Sequence, residues 1–307
     1  MGVDVSKAVL DIFYQGEHRC IDQNQKGYEI IAQWIGEYKD ATVIVCEASG
    51  GYERPFINAM LKQGIRCHIA QANKVRAFAR AIGRLAKTDK IDAKIITNYA
   101  EAMTLKSQAF SCESTQKIKA LIKRRDQLLL AKQAEKQRLD KVSGSIAQSI
   151  HDHIQWLNDA INNIEKELAK QTAQSTVHND KYERYCSVPG VGTLTAQALI
   201  AFLPELGKAN DKEIAALAGV APFNRDSGGT TGKRYTWGGR SELRKILYMA
   251  ALSCMRTNRD LRLFYQRLKA KNKPGKVALV AVIRKLLCLL NSLEKRKANW
   301  VDIYNKS

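Results

Sequence analysis

The sequence lacks the features of membrane and secreted proteins. No apolar run approaches the roughly 20 residues of a membrane helix, and the opening residues, MGVDVSKAVLDIF, lack the basic, apolar and small-residue order of a signal peptide. The seven cysteines are odd in number and have no paired spacing, which indicates reduced core residues. These absences argue against membrane-bound and disulfide-stapled classes and predict a soluble, cytoplasmic protein.

The sequence also lacks the features of repeat proteins and of common DNA-reading modules. The sequence shows no internal repeat, no low-complexity tail, no zinc-finger spacing and no sequence-reading recognition helix. With 307 residues, the chain is long enough for two or three compact units that each bury a core.

Acidic residues are scarce in the last third of the chain. Residues 1–104 contain 14 Lys and Arg against 12 Asp and Glu, residues 105–180 contain 12 against 9, and residues 181–307 contain 24 against 9. Most of the formal net charge of +20 therefore falls in the last segment. A field of this sign attracts polyanions, and nucleic acid is the commonest such partner, with an acidic membrane surface as the weaker alternative.

Residues 1–104 alternate between strand and helix patterns. The stretches VDVSKAVLDIFY and EHRCID predict a hairpin or meander, and ATVIVCEA and IRCHIA are short apolar runs typical of buried strands. GYEIIAQWIGEY and SGGYERPFINAMLKQG have helical spacing, and more helix is expected up to Met103. The order β, β, β, α, β, α, β, α predicts an α/β domain with a mixed sheet.

Residues 105–180 predict a helical hairpin, because residues 113–175 contain no proline and one glycine, Gly144, where two helices could meet. In the second half, apolar residues recur at steps of four and three, as in a heptad seam. They are Ile150, Ile154, Leu157, Ile161, Ile164 and Leu168. An intramolecular spacer and a coiled coil that pairs subunits explain this pattern equally well.

Residues 181–307 predict a basic, mainly helical domain. ERYCSVPGVGTLTAQALIAFLPEL reads as a helix, a PGVG turn and a second helix. A glycine-rich loop, RDSGGTTGKRYTWGGR, follows, and apolar and basic helices begin at SELRKILYMAALSCM.

Four carboxylates in the first segment have the placement of a metal site. Asp4 lies between two valines in the first strand, where an unpaired charge costs free energy, and Glu47 ends the strand VIVCE. Asp89 and Asp92 are three residues apart and share one face of a helix. If the first and fourth strands are neighbours, a helix packed across them brings all four together.

Oxygen ligands of this kind suit Mg²⁺ or Mn²⁺, and two such ions about 3.5–4 Å apart stabilise the attacking and leaving oxygens of a phosphodiester displacement. Lys87, Lys90 and Lys94 surround the helical pair and are expected to offset carboxylate repulsion and to meet a phosphate backbone. Each carboxylate alone also has an ordinary explanation as a turn or cap residue. The four together, in this order, favour the metal site.

The glycine-rich loop carries a serine among cations. Ser227 precedes Gly228 and a second glycine, and glycines let a backbone approach a phosphate closely. The cations in or near the loop are Arg225, Lys233, Arg234, Arg240 and Arg244. From the residues alone, an ordinary turn remains the commoner explanation of a Ser-Gly-Gly triplet.

The PGVG turn is a second candidate nucleic-acid contact. Gly190 and Gly192 would let backbone N–H groups and a helix N-terminus receive a phosphate, as in a helix-hairpin-helix, although an ordinary tight turn is equally compatible. Tyr235 and Trp237 could stack on bases, and core packing is at least as common for such residues.

Taken in order, GVDVSK, CEASGGYE, KTDKIDA, SVPGVG and GVAPFNRDSGGTTGKR resemble the motifs of the DEDD-type insertion-sequence transposases, which are related to the Piv/MooV site-specific invertases. The resemblance covers almost the whole chain. It implies a ribonuclease H-like, RuvC-like first domain (1–104) whose Asp4, Glu47, Asp89 and Asp92 hold Mg²⁺. Together with the patterns above, the predicted organisation continues with a helical coiled-coil segment (105–180) and a basic helical transposase domain (181–307) with a helix-hairpin-helix-like turn.

The same resemblance implies a mechanism in which Ser227 is the nucleophile and becomes covalently joined to DNA. A serine hydroxyl needs activation, and no histidine lies nearby in sequence, so the acidic metal site is the expected helper. The resemblance further implies donor and target DNA as partners, a structured guide RNA, and assembly as a homodimer or homotetramer.

The sequence is compatible with two other functions. One is a junction-resolving nuclease that uses the same carboxylates with water as the nucleophile, leaving Ser227 as a loop residue. The other is a non-catalytic nucleic-acid scaffold in which the acidic residues are structural.

Overall fold

The computed structural model describes residues 1–84, 89–105, 113–223 and 235–301, without the side chains of Asp89, Lys90, Phe223 and Tyr235. The contacts divide the chain into two compact units, Met1–Ser111 and Cys112–Ser307. The predicted helical hairpin falls in the second unit, together with the C-terminal helices. Its existence as a separate domain therefore stays a prediction.

The described residues of the first unit form one sheet and four α-helices. The strands are β1 (Gly2–Val5), β2 (Val9–Tyr14), β3 (Glu17–Asp22), β4 (Val43–Glu47) and β5 (Arg66–Ala70). The helices are α1 (Gln25–Ile35), α2 (Glu53–Lys62), α3 (Ala72–Ala81) and α4 (Asp89–Ala102), with a short 3₁₀ helix at Gly36–Asp40. This order confirms the strand and helix pattern predicted for this segment.

The five strands are ordered β3-β2-β1-β4-β5. β1 is antiparallel to β2 and parallel to β4, so the sheet is mixed, as predicted. Because side chains alternate along each strand, one face of the sheet packs on α1 and α2 through residues such as Leu10, Ile31 and Phe56. The opposite face packs on α3 and α4 through Val45, Val75, Ile95, Ile96 and Tyr99.

The second unit is mainly helical. Its helices are α5 (Glu113–Leu139), α6 (Gly144–Ala173), α7 (Thr176–Cys186), α8 (Thr193–Phe202), α9 (Asp211–Leu217), α10 (Ser241–Thr257), α11 (Arg259–Ala270) and α12 (Gly275–Arg296). Two short strands, β6 (Pro222–Phe223) and β7 (Tyr235–Thr236), pair antiparallel. None of the helices in the described ranges has the length and hydrophobicity that crossing a bilayer would require.

The helices α5 and α6 form the predicted hairpin. Part of the heptad seam packs within the hairpin, because Leu157 and Ile161 of α6 are buried against Leu128 of α5. An ion pair between Arg125 and Glu165 (2.7 Å) also joins the two helices. The largest core of the unit surrounds α8, whose sequence TLTAQALIAF is apolar on nearly every side and is buried accordingly.

Candidate active site

The register of the sheet places Asp4 beside Glu47. In the parallel pair of β1 and β4, Gly2 is opposite Val45 and Val3 is opposite Cys46, so the next position brings Asp4 level with Glu47. Both residues are half-buried at the carboxyl ends of their strands. The structure therefore confirms that the first and fourth strands are neighbours, and the register places the two residues at the same level of the sheet.

Both carboxylates belong to the face that carries α4. Val3 and Val5 lie in the core on the α1 and α2 side, so Asp4 between them has the opposite orientation. Glu47 shares its face with Val45, which packs with Ile95 and Ile96 of α4. We call this part of the sheet, defined by Asp4 and Glu47, the carboxyl edge.

The helix α4 crosses the sheet very close to β1. A Cβ atom on Gly2 would lie 2.5 Å from the Ala93 carbonyl oxygen and 2.4 Å from Thr97 Oγ1, so only glycine allows this approach. The Thr97 hydroxyl also donates to the Phe13 carbonyl oxygen (3.1 Å). These contacts fix α4 over β1 and β2.

The direction of α4 brings its N-terminal turn toward the carboxyl edge. Burial lowers the pKa of the Met1 amino group, and Glu101 in the last turn of α4 is near enough to oppose this shift. Since Glu101 is near Met1 and Ala93 is over Gly2, the helix runs opposite to β1, and Asp92 lies toward Asp4. Asp92 is half-buried, and Asp89 is the first residue of the helix.

The complete metal site remains a prediction. Within the described ranges, no three His, Cys, Asp or Glu side chains form a cluster that could hold a metal ion. The side chain of Asp89, the fourth predicted ligand, lies outside the description. Cys46 is no alternative ligand, because burial above all, followed by nearby Glu53, Cys67 and Asp4, raises the pKa of its thiol.

Two further side chains lie next to the carboxyl edge. Asp11 of β2 is directly opposite Asp4 in the antiparallel pair, and its carboxylate is 3.0 Å from His18 Nε2 on β3. The side chains of Asp11 and His18 are only 14% and 20% exposed. The sequence alone does not mark either of them as a site residue, although the alternation of VLDIFY already places Asp11 on the face opposite to Leu10 and Ile12.

The loop after Glu47 is closed by Glu53, a further residue that was not predicted from the sequence. The Glu53 carboxylate accepts hydrogen bonds from the Ser49 N–H (3.1 Å), the Ser49 hydroxyl (2.8 Å) and the Gly51 N–H (2.9 Å). The Glu53 N–H donates in return to the Ser49 hydroxyl (3.1 Å). The signal available in the sequence was a serine four residues before a glutamate at a helix start.

These bonds decide the protonation state of Glu53. Burial alone would raise the pKa of its carboxyl, but the hydrogen bonds from Ser49 and from the backbone outweigh burial and lower the pKa. Glu53 is therefore a buried carboxylate that fixes the loop of residues 48–52 directly behind Glu47.

We call residues 224–234 the serine loop, and they lie outside the described residues. Ser227, Arg225, Gly228, Lys233 and Arg234 lie outside the described residues, as does Lys87. For Lys90 and Tyr235 only the backbone is described, whereas Trp237 is 75% exposed. Lys94 is exposed, with its Nζ 5.5 Å from the centroid of the Phe13 ring.

Arg240 and Arg244 have contacts within the protein. Arg240 makes a bidentate ion pair with Glu205 (2.6 and 2.7 Å) and also donates to the Phe202 carbonyl oxygen (2.6 Å). Burial alone would raise the pKa of Glu205, but the bond and charge of Arg240 lower it. Arg244 donates to the carbonyl oxygens of Gly219 (3.1 Å) and Gly238 (3.0 Å), on either side of the serine loop. A phosphate contact stays a prediction for both.

The PGVG turn joins α7 and α8, as predicted. Gly190 has φ +96°, and a Cβ atom there would lie 2.5 Å from Cys254 Cα, so the turn packs directly on α10. Gly192 is the N-cap of α8, has φ −90° and has open space where a Cβ would be. The close packing on α10 therefore requires glycine at position 190. At position 192, by contrast, there is space for a side chain.

Known transposases and a related group of DNA-inverting proteins are similar in sequence to this chain over most of its length. A sequence model described as "Transposase IS116/IS110/IS902 family" matches residues 182–266, and one described as "Transposase", for the DEDD enzymes of IS110, matches residues 1–143. Pilin gene-inverting proteins of Moraxella lacunata and Moraxella bovis are each 24% identical over 300 residues, covering 94% of this chain and 93% of theirs. An uncharacterized protein of insertion element IS110 from Streptomyces coelicolor is 29% identical over 106 residues, covering 34% of this chain and 26% of that protein.

Proposed function

Because the chain belongs to the IS110 family of DEDD transposases, enzymes that cleave and transfer DNA strands, we propose that it recombines the ends of an insertion sequence through a serine-linked intermediate. The first unit supplies a ribonuclease H-like domain of the RuvC kind. The second unit supplies the nucleophile and most of the nucleic-acid contacts.

The observation that carries this proposal is the carboxyl edge. Asp4 and Glu47 stand level at the ends of two adjacent parallel strands, and the N-terminal turn of α4 with Asp92 lies toward them. Carboxylates on one face at strand ends are rigidly positioned, because the sheet ladder and the tight Gly2 contact fix their backbones. Structural acids have no need of such a convergence.

The donor set fits a divalent cation, since carboxylate oxygens are the hard ligands that Mg²⁺ prefers. Asp4, Glu47, Asp89 and Asp92 would hold it, with Mn²⁺ as a substitute, and DEDD transposases typically use divalent metals. When bound, the cation supplies positive charge to the oxygens of the displaced phosphodiester. Glu53 keeps the loop behind Glu47 in place, and the Asp11–His18 pair adds a hydrogen-bonded carboxylate beside Asp4.

The chemical step that we propose involves two displacements at one phosphorus. The Ser227 Oγ attacks the phosphorus while the bond from phosphorus to one strand breaks, and the proton of the Ser227 hydroxyl ends on the oxygen of the leaving strand, which becomes a free hydroxyl. A hydroxyl of another strand then attacks the phosphoserine and releases Ser227 with its proton restored. Bond energy is conserved throughout, so no nucleotide cofactor is consumed.

The experiment is covalent trapping on a nicked suicide DNA substrate with Mg²⁺. The parent protein should give a protein–DNA adduct that survives denaturation, and Ser227→Ala should give none. Ser145→Ala, which removes an exposed hydroxyl from α6, is the matched control and should trap normally.

Each alternative function predicts a different result in the same assay. Cleavage by Ser227→Ala at the parental rate, without any adduct, would establish a nuclease that uses water. A protein with Asp89→Asn and Asp92→Asn that behaves like the parent in a Mg²⁺ titration would instead establish a non-catalytic scaffold.

We further propose a structured guide RNA and a dimer or tetramer as the active assembly. The guide is supported by the basic second unit and by the lack of a sequence-reading helix in the sequence. The assembly is supported by α6, where Ile146 and Trp156 are 61% and 56% exposed although apolar. Sequencing of RNA that copurifies with the protein, and light scattering before and after ribonuclease treatment, test the two separately.

A further inference from the structure

The region from Arg256 to Leu293 has an unusual charge balance. It contains ten lysine and arginine residues and a single acidic residue, Asp260. All ten cations are exposed, and in the described part of the chain none of them forms an ion pair. They are Arg256, Arg259, Arg262, Arg267, Lys269, Lys271, Lys273, Lys276, Arg284 and Lys285. Glu294, the next acidic residue along the chain, is buried and already forms ion pairs with Arg184 and Lys297.

Seven of these cations lie on the helices α11 and α12, whereas Arg256 lies at the end of α10 and Lys271 and Lys273 lie in the connection between α11 and α12. Buried Leu261 of α11 belongs to the same core as Leu279 and Val282 of α12. The four residues between the helices are held by a hydrogen bond from Lys269 Nζ to the Lys273 carbonyl oxygen (3.3 Å). Rigid helices that carry exposed cations lose little conformational freedom when they bind a polyanion.

Two cations from different helices converge on one aromatic ring. Lys285 Nζ lies 4.8 Å from the centroid of the Phe264 ring, and Arg267 Cζ lies 6.0 Å from it. The ring attracts each cation, whereas the like charges of the two cations repel each other. A bound anion removes that repulsion, so the pair is more favourable with a phosphate than without one.

A cavity of about 340 Å³ opens at the same place. Arg267, Lys285, Ser292 and Asp260 line it together with apolar residues such as Leu263. A cavity of this volume is in the range of small-ligand sites, and hydroxyl, guanidinium and ammonium groups are all phosphate donors.

We infer that this region is a docking site for the sugar–phosphate backbone of a nucleic-acid duplex, with Arg267 and Lys285 on one phosphate at the cavity. We call it the α11–α12 surface, defined by the ten cations named above. It follows the serine loop in the sequence, and most of it lies beyond the family match that ends at residue 266. The inference does not depend on the serine-linked intermediate, since it needs only that the protein handles nucleic acid.

The test is fluorescence anisotropy of the full-length protein with a short DNA duplex of arbitrary sequence and an RNA duplex of the same length. The double variant Arg267→Gln, Lys285→Gln should weaken binding about tenfold and reduce the slope of log affinity against log salt by about 2. The control Lys39→Gln, Lys62→Gln removes the same charge from exposed positions of the first unit and should change affinity about twofold or less.

A second variant separates charge from packing. Arg267→Lys, Lys285→Arg keeps both cations and should restore most of the affinity, whereas lost packing on Phe264 would leave it weak. Loss with both duplexes supports a backbone shared by DNA and RNA, and loss with one identifies the source. If the glutamine variant weakens neither duplex more than the control does, or weakens only binding to anionic lipid vesicles, the inference is overturned.

Discussion

The carboxyl edge of the first unit and the α11–α12 surface of the second unit gather charge in opposite ways. At the carboxyl edge, a few acids are half-buried on strands whose register and close packing fix them. On the α11–α12 surface, many cations are exposed on helices and in the connection between them, and partners within the described residues hold few of them. The first arrangement suits chemistry at one point, and the second suits a long, repetitive polyanion.

Because of this difference, mutations in the two regions should affect different properties of the protein. Changes at the carboxyl edge should affect catalysis or folding, since each side chain there has a defined geometry. Changes on the α11–α12 surface should affect affinity and its salt dependence and leave the fold intact.

The largest effect is expected from Asp4→Asn. The substitution preserves volume but removes a charge at the carboxyl edge, so strand cleavage should fall by about a thousandfold or more in a gel assay. Glu17→Gln is the matched control, because Glu17 is an exposed carboxylate of β3 that pairs with Arg19. Cleavage by Asp4→Asn within about tenfold of the parent would remove this residue from the chemistry.

The next effect concerns the packing of the PGVG turn. Gly190→Ala should lower the free energy of unfolding by about 2–4 kcal/mol, because it combines an unfavourable positive φ with a clash against α10. Gly192→Ala, two residues away with open space around it, should cost less than about 1 kcal/mol. Chemical denaturation measures both, and equal losses would contradict the packing role of Gly190.

A smaller, pH-dependent effect is expected from Glu53→Gln. The substitution weakens the bonds that close the loop behind Glu47 and should cost about 1–3 kcal/mol at neutral pH. The folded protein lowers the pKa of Glu53 below its ordinary value of 4.5. The stabilisation by its charge is therefore present above pH 4.5 and is lost as the pH falls through the folded-state pKa.

Denaturation at several pH values checks this expectation. The difference between parent and Glu53→Gln should shrink in acid, whereas the exposed Glu37→Gln should show little difference at any pH. A difference that stays constant from neutral pH into acid would mean that the charge of Glu53 does not hold the loop.

The smallest expected effect is on stability, and it compares an exposed arginine of the second unit with one that forms an ion pair. Arg262→Gln, on the α11–α12 surface, should change the free energy of unfolding by less than about 0.5 kcal/mol. Arg240→Gln, which breaks a bidentate pair with Glu205, should cost about 1–3 kcal/mol. Thermal melts of the two variants measure both costs. If Arg262→Gln were the more destabilising, the ion pair of Arg240 with Glu205 would not be the reason for the difference.

Parts of the fold and site could be predicted because the signals are local. Asp4 and Glu47 each sit in a short apolar run, and this is enough to place them on strands. Asp11 and His18 were missed because their place beside Asp4 depends on strand register, which separate runs do not reveal. The ion pair of Arg240 with Glu205 was hidden for a similar reason, since 35 residues separate the partners.

By itself, the sequence determined the alternation of strands and helices, the helical hairpin and the concentration of positive charge in the last third, because periodicity and composition are local properties of a chain. Only the tertiary structure decided which strands are neighbours, that Glu53 closes the loop behind Glu47, and that Arg267 and Lys285 meet at Phe264. A period of two or 3.6 residues fixes which side chains share a face. What that face meets depends on distant residues that only folding brings into contact.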